Sequence, residues 1–316
     1  MGWADRIRFW AWPGELRQRG VLGINERNLR FVSRLNRRSL YDRVDDKSVT
    51  KAICEAHRIP VPQTYAVISR FGDIRKLGQF VGNRRQFVIK PACGAAGRGV
   101  LVIADSEGQQ FVTSDGRKMS PAEVRYHLST ILSGLYSLGG GADKAIVEER
   151  IQRHPLMREL AVGGTPDVRI VVHQGIPAMA MLRLPTRQSV GRANLHQGAV
   201  GVGVDIRSGR TTRASHLNRS VDCHPDTGAI LAGLEIPRWA DALLIAANLS
   251  RALELGYIGV DIVLDAERGP IVLEANARPG LAIQIANASG LLSQLQDPMA
   301  TLPLRARACA GLTRSP

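Results

Sequence analysis

At 316 residues and 34.3 kDa the chain is long enough to bury a large core and to divide into two or three subdomains. With 44% hydrophobic and 22% charged residues it has the composition of a soluble globular protein; no apolar run reaches the roughly 18 residues of a bilayer span and the N-terminus lacks a signal-peptide core, so a cytoplasmic protein is expected. The net charge of +14 leaves three accounts open: a polyanionic partner, a phosphate-rich substrate, or a merely arginine-rich composition.

Only six of the 42 basic residues are lysine, and the arginines are spread along the chain, so a dedicated nucleic-acid surface is not expected. Cys54, Cys93, Cys223 and Cys309 show no C-x-x-C spacing, which indicates neither a zinc site nor a disulfide framework. The first 20 residues are rich in Trp and Arg (Trp3, Trp10, Trp12; Arg6, Arg8, Arg17, Arg19) and suit a helix that caps the core or docks on a membrane surface or partner. From Asn25 to Leu40, Leu29, Val32 and Leu35 fall three apart and Phe31 four before Leu35, a helical period with a basic outer face. Asp45-Asp46-Lys47-Ser48 opens a helix, capped by an aspartate, that runs to about Arg58 with Val49, Ile53 and Ala56 inward. A strand at 65–68, a helix at 73–81 and a strand at 87–90 complete a small α/β unit.

Pro91 to Gly99 is a glycine-rich loop between two strands, the second at 100–103. Its backbone N–H groups can approach phosphate oxygens, and Lys90 at the preceding strand end supplies a positive charge. It is neither a Walker A loop nor a Rossmann fingerprint, since no helix follows directly; a plain hairpin turn is the alternative. A helix at 121–132, a mobile surface loop at 133–143 with three glycines, and a buried strand at 145–151 come next. Residues 152–166 read as irregular. Strands at 167–173 and 176–184 form a hairpin, a polar, glycine-rich stretch at 186–201 leads to a strand near 202–206, and 237–255 is the clearest helix, with Trp239, Leu243, Ala246, Leu249 and Leu253 at helical spacing toward the core.

Residues 257–280 then give two apolar runs joined by a turn at Arg268-Gly269-Pro270, a hairpin signature. Asp261 interrupts the first strand, and Glu274 and Asn276 share one face of the second. If Asp261 pairs near them, three hard oxygen ligands converge in a way that suits Mg²⁺ with nucleotide phosphates; the alternative is a solvated polar row on an edge hairpin.

Taken in order, Asp46-Lys47, Val-Ile-Lys90-Pro with its glycine loop, Ile-Val-Glu148-Glu149, Asp167-Val-Arg169, Arg192-Ala-Asn194-Leu-His196, Asp261 and Glu274-Ala-Asn276 resemble the ATP-grasp superfamily, and within it the RimK-like alpha-L-glutamate ligases, over roughly residues 40–295. The Asn25-Glu-Arg-Asn28 and Val-Asp-Asp-Lys openings are similar to those of the alpha-L-glutamate ligase-related branch. The resemblance implies an α/β (α+β) fold in which two subdomains, 45–150 and 151–300, clamp ATP, with a shortened basic helical segment at 1–44 and a tail at 301–316. It implies that Lys47 and Lys90 touch nucleotide phosphates, with Gly97 in the phosphate loop and Lys51 as a competitor for Lys47. Glu148, Glu149, Arg150 and Ile151 would line the adenine. Asp167 would hold the ribose, with Glu159 as an alternative, and Arg192, Ala193 and Asn194 would reach the terminal phosphate. Asp261, Glu274 and Asn276 would bind Mg²⁺, with Mn²⁺ as a substitute.

The implied activity is an ADP-forming carboxylate–amine ligase working through an acylphosphate, with Arg192 at the phosphate and Arg278 or Arg183 facing the tetrahedral oxyanion. Its partners would be ATP, a carboxylate substrate and an amino acid or amine; the arginines of residues 27–43 would recruit an acidic peptide or protein acceptor. A non-catalytic nucleotide-binding protein and an RNA- or ribosome-associated protein are the alternatives. Only 46 residues precede Lys47, fewer than the family's usual N-terminal domain, and Ala193 stands where the related segment has Ser. Oligomeric state, acceptor and added amino acid are left open.

Overall fold

A computed structural model describes residues 12–107 and 110–296. Its strands form two antiparallel sheets. The first, in the order β1-β6-β2-β3-β4-β5, contains β1 (Thr64–Ile68), β2 (Phe87–Pro91), β3 (Leu101–Glu107), β4 (Gln110–Thr113), β5 (Lys118–Met119) and β6 (Ala145–Glu148). Helix Pro121–Leu132 covers it through Val124, Leu128 and Ile131, which pack with Phe87, Ile89 and Ile103. Ser120 starts that helix with a reciprocal capping box to Glu123.

The second sheet, in the order β11-β10-β9-β8-β7-β12-β13, contains β7 (Asp167–His173), β8 (Ile176–Leu184), β9 (Val200–Val204), β10 (Thr211–His216), β11 (Arg219–Val221), β12 (Tyr257–Asp265) and β13 (Gly269–Asn276). Alternate side chains point to opposite faces. One face carries Val168, Ile170, Leu182, Val202 and Val260 into a core closed by helix Trp239–Leu253, whose Leu243, Ala246 and Leu249 face inward as their spacing requires. Helix Lys47–Ala56 joins the same core through Cys54.

The opposite face is divided along its length. Near one end Val171, Met179, Met181 and Tyr257 are apolar, and Leu22, Phe31, Val32 and the helix Ile283–Asn287 cover them. Toward the other end the same strand positions hold Asp167, Arg169, Arg183 and Asp261. The sequence thus places one half of this face under the N-terminal segment and the other half in the site.

The N-terminal segment is fastened by side chain to backbone. Asn36 Nδ2 donates to Tyr257 O at 2.7 Å and to Ala277 O at 3.0 Å, its Oδ1 accepts from Tyr257 N at 3.0 Å, and Arg27 Nη1 donates to Pro279 O at 2.8 Å. The expected single helix at 25–40 is broken: residues Arg27–Val32 form a wider π-helical turn, which rotates Leu29 outward while Phe31 and Val32 stay buried. In helix Lys47–Ala56 the buried face is Thr50, Lys51 and Cys54, with Ala56 exposed, because Lys51 turns inward to a buried carboxylate. Residues 152–166, read as irregular, include the helix Pro155–Leu160. The Trp/Arg-rich residues 1–11 and the tail at 301–316 lie outside the described residues. Among the described residues no helix is long and apolar enough to cross a membrane, and Cys54, Cys93 and Cys223 are free thiols.

Candidate functional site

Asp46 sets the first part of the site. Its Oδ1 caps helix Lys47–Ala56 by accepting from Ser48 N at 2.8 Å and Ser48 Oγ at 2.6 Å, and its Oδ2 accepts from Lys144 Nζ at 2.6 Å. Burial works against its ionisation, but the Lys144 and Ser48 contacts hold the Asp46 carboxyl below its ordinary value. The backbone N–H of the next residue, Lys47, donates to Ala92 O at 2.9 Å, so the helix start is bonded directly to the glycine-rich loop. Asp143 holds the loop from the other side, accepting from Cys93 N at 3.0 Å.

Lys47 joins the two sheets. Its Nζ donates to Gly94 O at 2.6 Å in the loop and lies 3.7 Å from Glu274 Oε2 on β13. Arg192, on the connection between β8 and β9, packs its aliphatic stem over Gly97, 3.6 Å from where a Cβ would stand. Gly97, Lys47, Arg192 and Glu274 are therefore gathered from four separate stretches of sequence. A cavity of about 540 Å³ adjoining the loop is lined by Asp42, Asp45, Asp46 and Cys93.

Beneath the loop, Glu148 is buried between two lysines. Lys51 Nζ donates to its Oε2 at 2.5 Å and to Pro62 O at 2.7 Å, while Lys90 Nζ lies 2.6 Å from its Oε1. Burial alone would raise the Glu148 carboxyl; Lys90 and Lys51 outweigh it and hold it below the usual range. Two expectations change here. Lys90, expected to present its charge to phosphate, lies against Glu148, and the Glu148 carboxylate, expected at the adenine, is shared by both lysines, so the cluster keeps one net positive charge beneath the loop. Lys51 is thereby set apart from Lys47 as the internal partner of that carboxylate. Of the other adenine-side residues, Glu149 accepts from Arg268 Nη2 at 2.8 Å and Gln63 N at 3.1 Å, and Arg150 and Ile151 are half-buried just past the end of β6.

On the second sheet the charged half-face is a ladder. Arg183 forks onto Asp167, with Nε to Oδ1 at 2.6 Å and Nη2 to Oδ2 at 2.7 Å. The same Nη2 reaches Asp261 Oδ2 at 2.7 Å. Arg169 forks onto Asp261 from β7, at 2.7 and 2.6 Å. Asp167 and Arg169 share a face, yet each pairs with a neighbouring strand instead of with the other, because cross-strand partners lie closer than i,i+2 residues. Asp167, expected at the ribose, is 3% exposed with both oxygens on Arg183. Burial and the nearby Asp261 raise its carboxyl despite Arg183, whereas Asp261 is pulled down, its burial outweighed by Arg169 and Arg183. Arg183, an oxyanion candidate, is buried in this ladder; Arg278, the other, is exposed and stacks over the Tyr41 ring at 4.8 Å. Glu159, the alternative ribose carboxylate, is exposed on helix Pro155–Leu160.

Asp261 and Glu274 are cross-strand partners, within hydrogen-bonding reach of one another, and Asn276 Nδ2 lies 3.4 Å from Glu274 Oε1. Among the described residues no three His, Cys, Asp or Glu side chains gather to hold a metal. The donor set is the two carboxylates and the Asn276 amide, completed by ligand oxygens. Arg169 and Arg183 already balance Asp261, so the oxygens open to a hard divalent ion are those of Glu274 and Asn276, with the Asp261 carboxylate directly behind them.

The loop carrying Arg192, Ala193 and Asn194 is held from below. Asn194 Oδ1 accepts from His196 N at 3.0 Å and caps the short helix Leu195–Gln197; Ala193 is half-buried. Gly164 and Gly191 are in backbone contact so close that a Cβ on Gly164 would stand 1.5 Å from Gly191 O. Arg153 Nη1 donates to Gly163 O and Gly164 O at 3.0 and 2.7 Å, holding the other side of that crossing. No sequence motif announces this crossing; the paired Gly163-Gly164 is its one visible signal.

The model of the sugar-transfer associated ATP-grasp family matches residues 26–298. A curated relative, a probable alpha-L-glutamate ligase of Parasynechococcus marenigrum (strain WH8102), is 25% identical over 252 residues, covering 79% of this chain; the chain spans 39% of that relative's length. Among solved structures, a RimK domain ATP-grasp protein from Sphaerobacter thermophilus DSM 20745 is 15% identical at a TM-score of 0.46, covering 83% of this chain and 70% of the other. D-alanyl-alanine synthetase A from Vibrio cholerae O1 biovar eltor str. N16961 is 11% identical at a TM-score of 0.48, covering 83% and 66%.

Proposed function

Because this chain belongs to the sugar-transfer associated ATP-grasp family, we propose that it is an ADP-forming ligase that joins a carboxylate to an amine by way of an acylphosphate. The observation that carries this reading is Lys47, whose ammonium bridges the glycine-rich loop of the first sheet and Glu274 of the second, 2.6 Å from Gly94 O and 3.7 Å from Glu274. A cation in that place faces both the phosphate loop and the carboxylate pair.

In this reading a carboxylate oxygen of one substrate attacks the γ-phosphorus of ATP, the bond to the bridging oxygen breaks, and ADP leaves. Lys47 and Arg192 neutralise charge on the transferring group, and the glycine-loop backbone orients it. Asp261, Glu274 and Asn276 would hold Mg²⁺, which supplies charge neutralisation at the phosphates. An amine nitrogen then attacks the acyl carbon, phosphate leaves, and the amine's proton passes to solvent or phosphate. Arg278, exposed two residues past Asn276, would leave its stack on Tyr41 to face the oxyanion, since Arg183 is committed to Asp167 and Asp261. Arg169 and Arg183 act as positioning residues that keep Asp261 ionised and fixed. The likeness to a probable alpha-L-glutamate ligase supports glutamate, or a similar amino acid, as the group added.

The test is ADP release by the purified chain with MgATP across a panel of amino acids and carboxylates, with mass spectrometry of products. ADP formation coupled to a product heavier by one amino acid less water supports the proposal. ATP binding without turnover on any pair would favour a nucleotide-binding role.

A further inference from the structure

The N-terminal segment caps the core with one side and leaves apolar side chains in solvent on the other. Leu22, Phe31 and Val32 are buried, whereas Trp12, Ile24 and Leu29 are 74%, 63% and 69% exposed and Leu16 is exposed one helical turn after Trp12. Between residues 12 and 41 there are seven arginines against two glutamates and no lysine. Arg27 is spent on Pro279 O and Arg30 on Glu26, but Arg17, Arg19, Arg34, Arg37 and Arg38 are exposed.

We propose that this face is a docking surface for an anionic lipid bilayer, on which the chain sits peripherally. Tryptophan and short aliphatic side chains enter the headgroup boundary, and arginine forks remain at the phosphate level. Three of the chain's four tryptophans fall in its first twelve residues, which gives this end the composition of an interfacial segment. An acidic protein partner fits less well, because it would match the arginines and leave Trp12, Ile24 and Leu29 without an apolar counterpart. A bilayer interface needs no complementary groove. The segment is bonded to Ala277 and Pro279, in the loop directly after Glu274 and Asn276, so docking would bring the candidate site close to the membrane surface.

The test is co-sedimentation of the full chain with vesicles of phosphatidylcholine alone and of phosphatidylcholine containing about 30% phosphatidylglycerol, enough to give an anionic surface potential. The proposal expects binding to the anionic vesicles only, with a blue shift of tryptophan emission. Binding should fall at least about tenfold when Arg17, Arg19, Arg34, Arg37 and Arg38 are changed to Gln, given the typical contribution of each basic residue. It should likewise fall in about 1 M salt, where the Debye length is about 3 Å. The set Trp12→Ser, Leu16→Ser, Ile24→Ser, Leu29→Ser should weaken binding that the arginines alone do not restore. These positions are exposed, and an unchanged circular dichroism spectrum shows that the fold is kept. Failure to bind anionic vesicles overturns the proposal. So does binding that neither set of substitutions alters, or capture by polyglutamate or RNA that leaves vesicle binding undetected.

Discussion

Asp261 and Glu274 face one another across the β12–β13 register, and Asp261 has no exposed surface. The pair is anchored from behind by two arginines and opens in front onto Lys47 and Asn276. If it holds a divalent ion, Glu274→Gln should reduce ADP release about a hundredfold or more, the effect of losing several kcal/mol of charge stabilisation. It should also abolish the Mg²⁺-dependent part of the rise in thermal midpoint with ATP, while nucleotide binding stays measurable. A normal Mg²⁺ response in the variant removes the ion from this pair.

Lys47 and Lys90 should separate binding from stability. Lys47→Ala removes a half-buried ammonium outside the core and should leave the fold intact while suppressing stabilisation by ATP. Lys90→Ala leaves Glu148 paired with Lys51 alone; it removes one charge-assisted contact and no charge is left unpaired, so the expected cost is about 1.5–3 kcal/mol. Urea unfolding of the two variants, with and without ATP, reads both effects; equal stability of Lys90→Ala and wild type would contradict the role given to Glu148.

Much of the scaffold was legible in sequence because it is written in period. Strands β7 and β8 and the helix Pro121–Leu132 appear at the expected residues, and Trp239, Leu243 and Leu249 face the core as their spacing requires. Pairing was less legible. Asp167, Arg169, Lys90 and Glu148 are charged residues on apolar strands, and pattern alone says that such residues are special without saying whether they face a ligand or one another. Register decides it: Arg183 stands opposite Asp167 and Asp261 opposite Arg169, separations of 16 and 92 residues that no local spacing encodes. The arginines expected to recruit an acidic acceptor divide for the same reason. Arg27 and Arg43 are bound to backbone carbonyls of Pro279 and Leu253, Arg30 is exposed but paired with Glu26, and Arg34, Arg37 and Arg38 are exposed.

The Gly164–Gly191 crossing should control the Arg192 loop from a distance. Gly164→Ala forces a methyl into backbone with no side chain to yield, at a cost of about 1–3 kcal/mol if the loop shifts. We expect a several-fold rise in KM for ATP with the fold kept. The same change at Gly72, where an added Cβ meets nothing within 4 Å, is the control for glycine replacement as such. Unaltered kinetics in Gly164→Ala would show that the crossing does not position Arg192.

Asp46 gives a pH signature. Its folded carboxyl lies below the ordinary value, so the stability it contributes is complete above about pH 4 and is lost as pH falls through the lower folded value. Asp46→Asn keeps a capping oxygen but removes the Lys144 ion pair. It should cost about 0.5–1 kcal/mol at neutral pH, allowing for solvent screening of a partly exposed pair, and the difference from wild type should shrink toward pH 3. Denaturant midpoints across that range check the sign; a difference that grows on acidification contradicts it.

The acylphosphate is the step on which the account turns, and hydroxylamine intercepts such a species whatever the natural amine. The purified chain is incubated with MgATP, hydroxylamine and a pool of carboxylic acids that includes amino acids and short acidic peptides, and hydroxamate and nucleotide products are measured together. The expected result is ATP-dependent hydroxamate equal in amount to the ADP formed, and with Glu274→Gln about a hundredfold less of both. Hydroxamate accompanied by AMP in place of ADP, or ADP release with no hydroxamate from any acid in the pool, would contradict it.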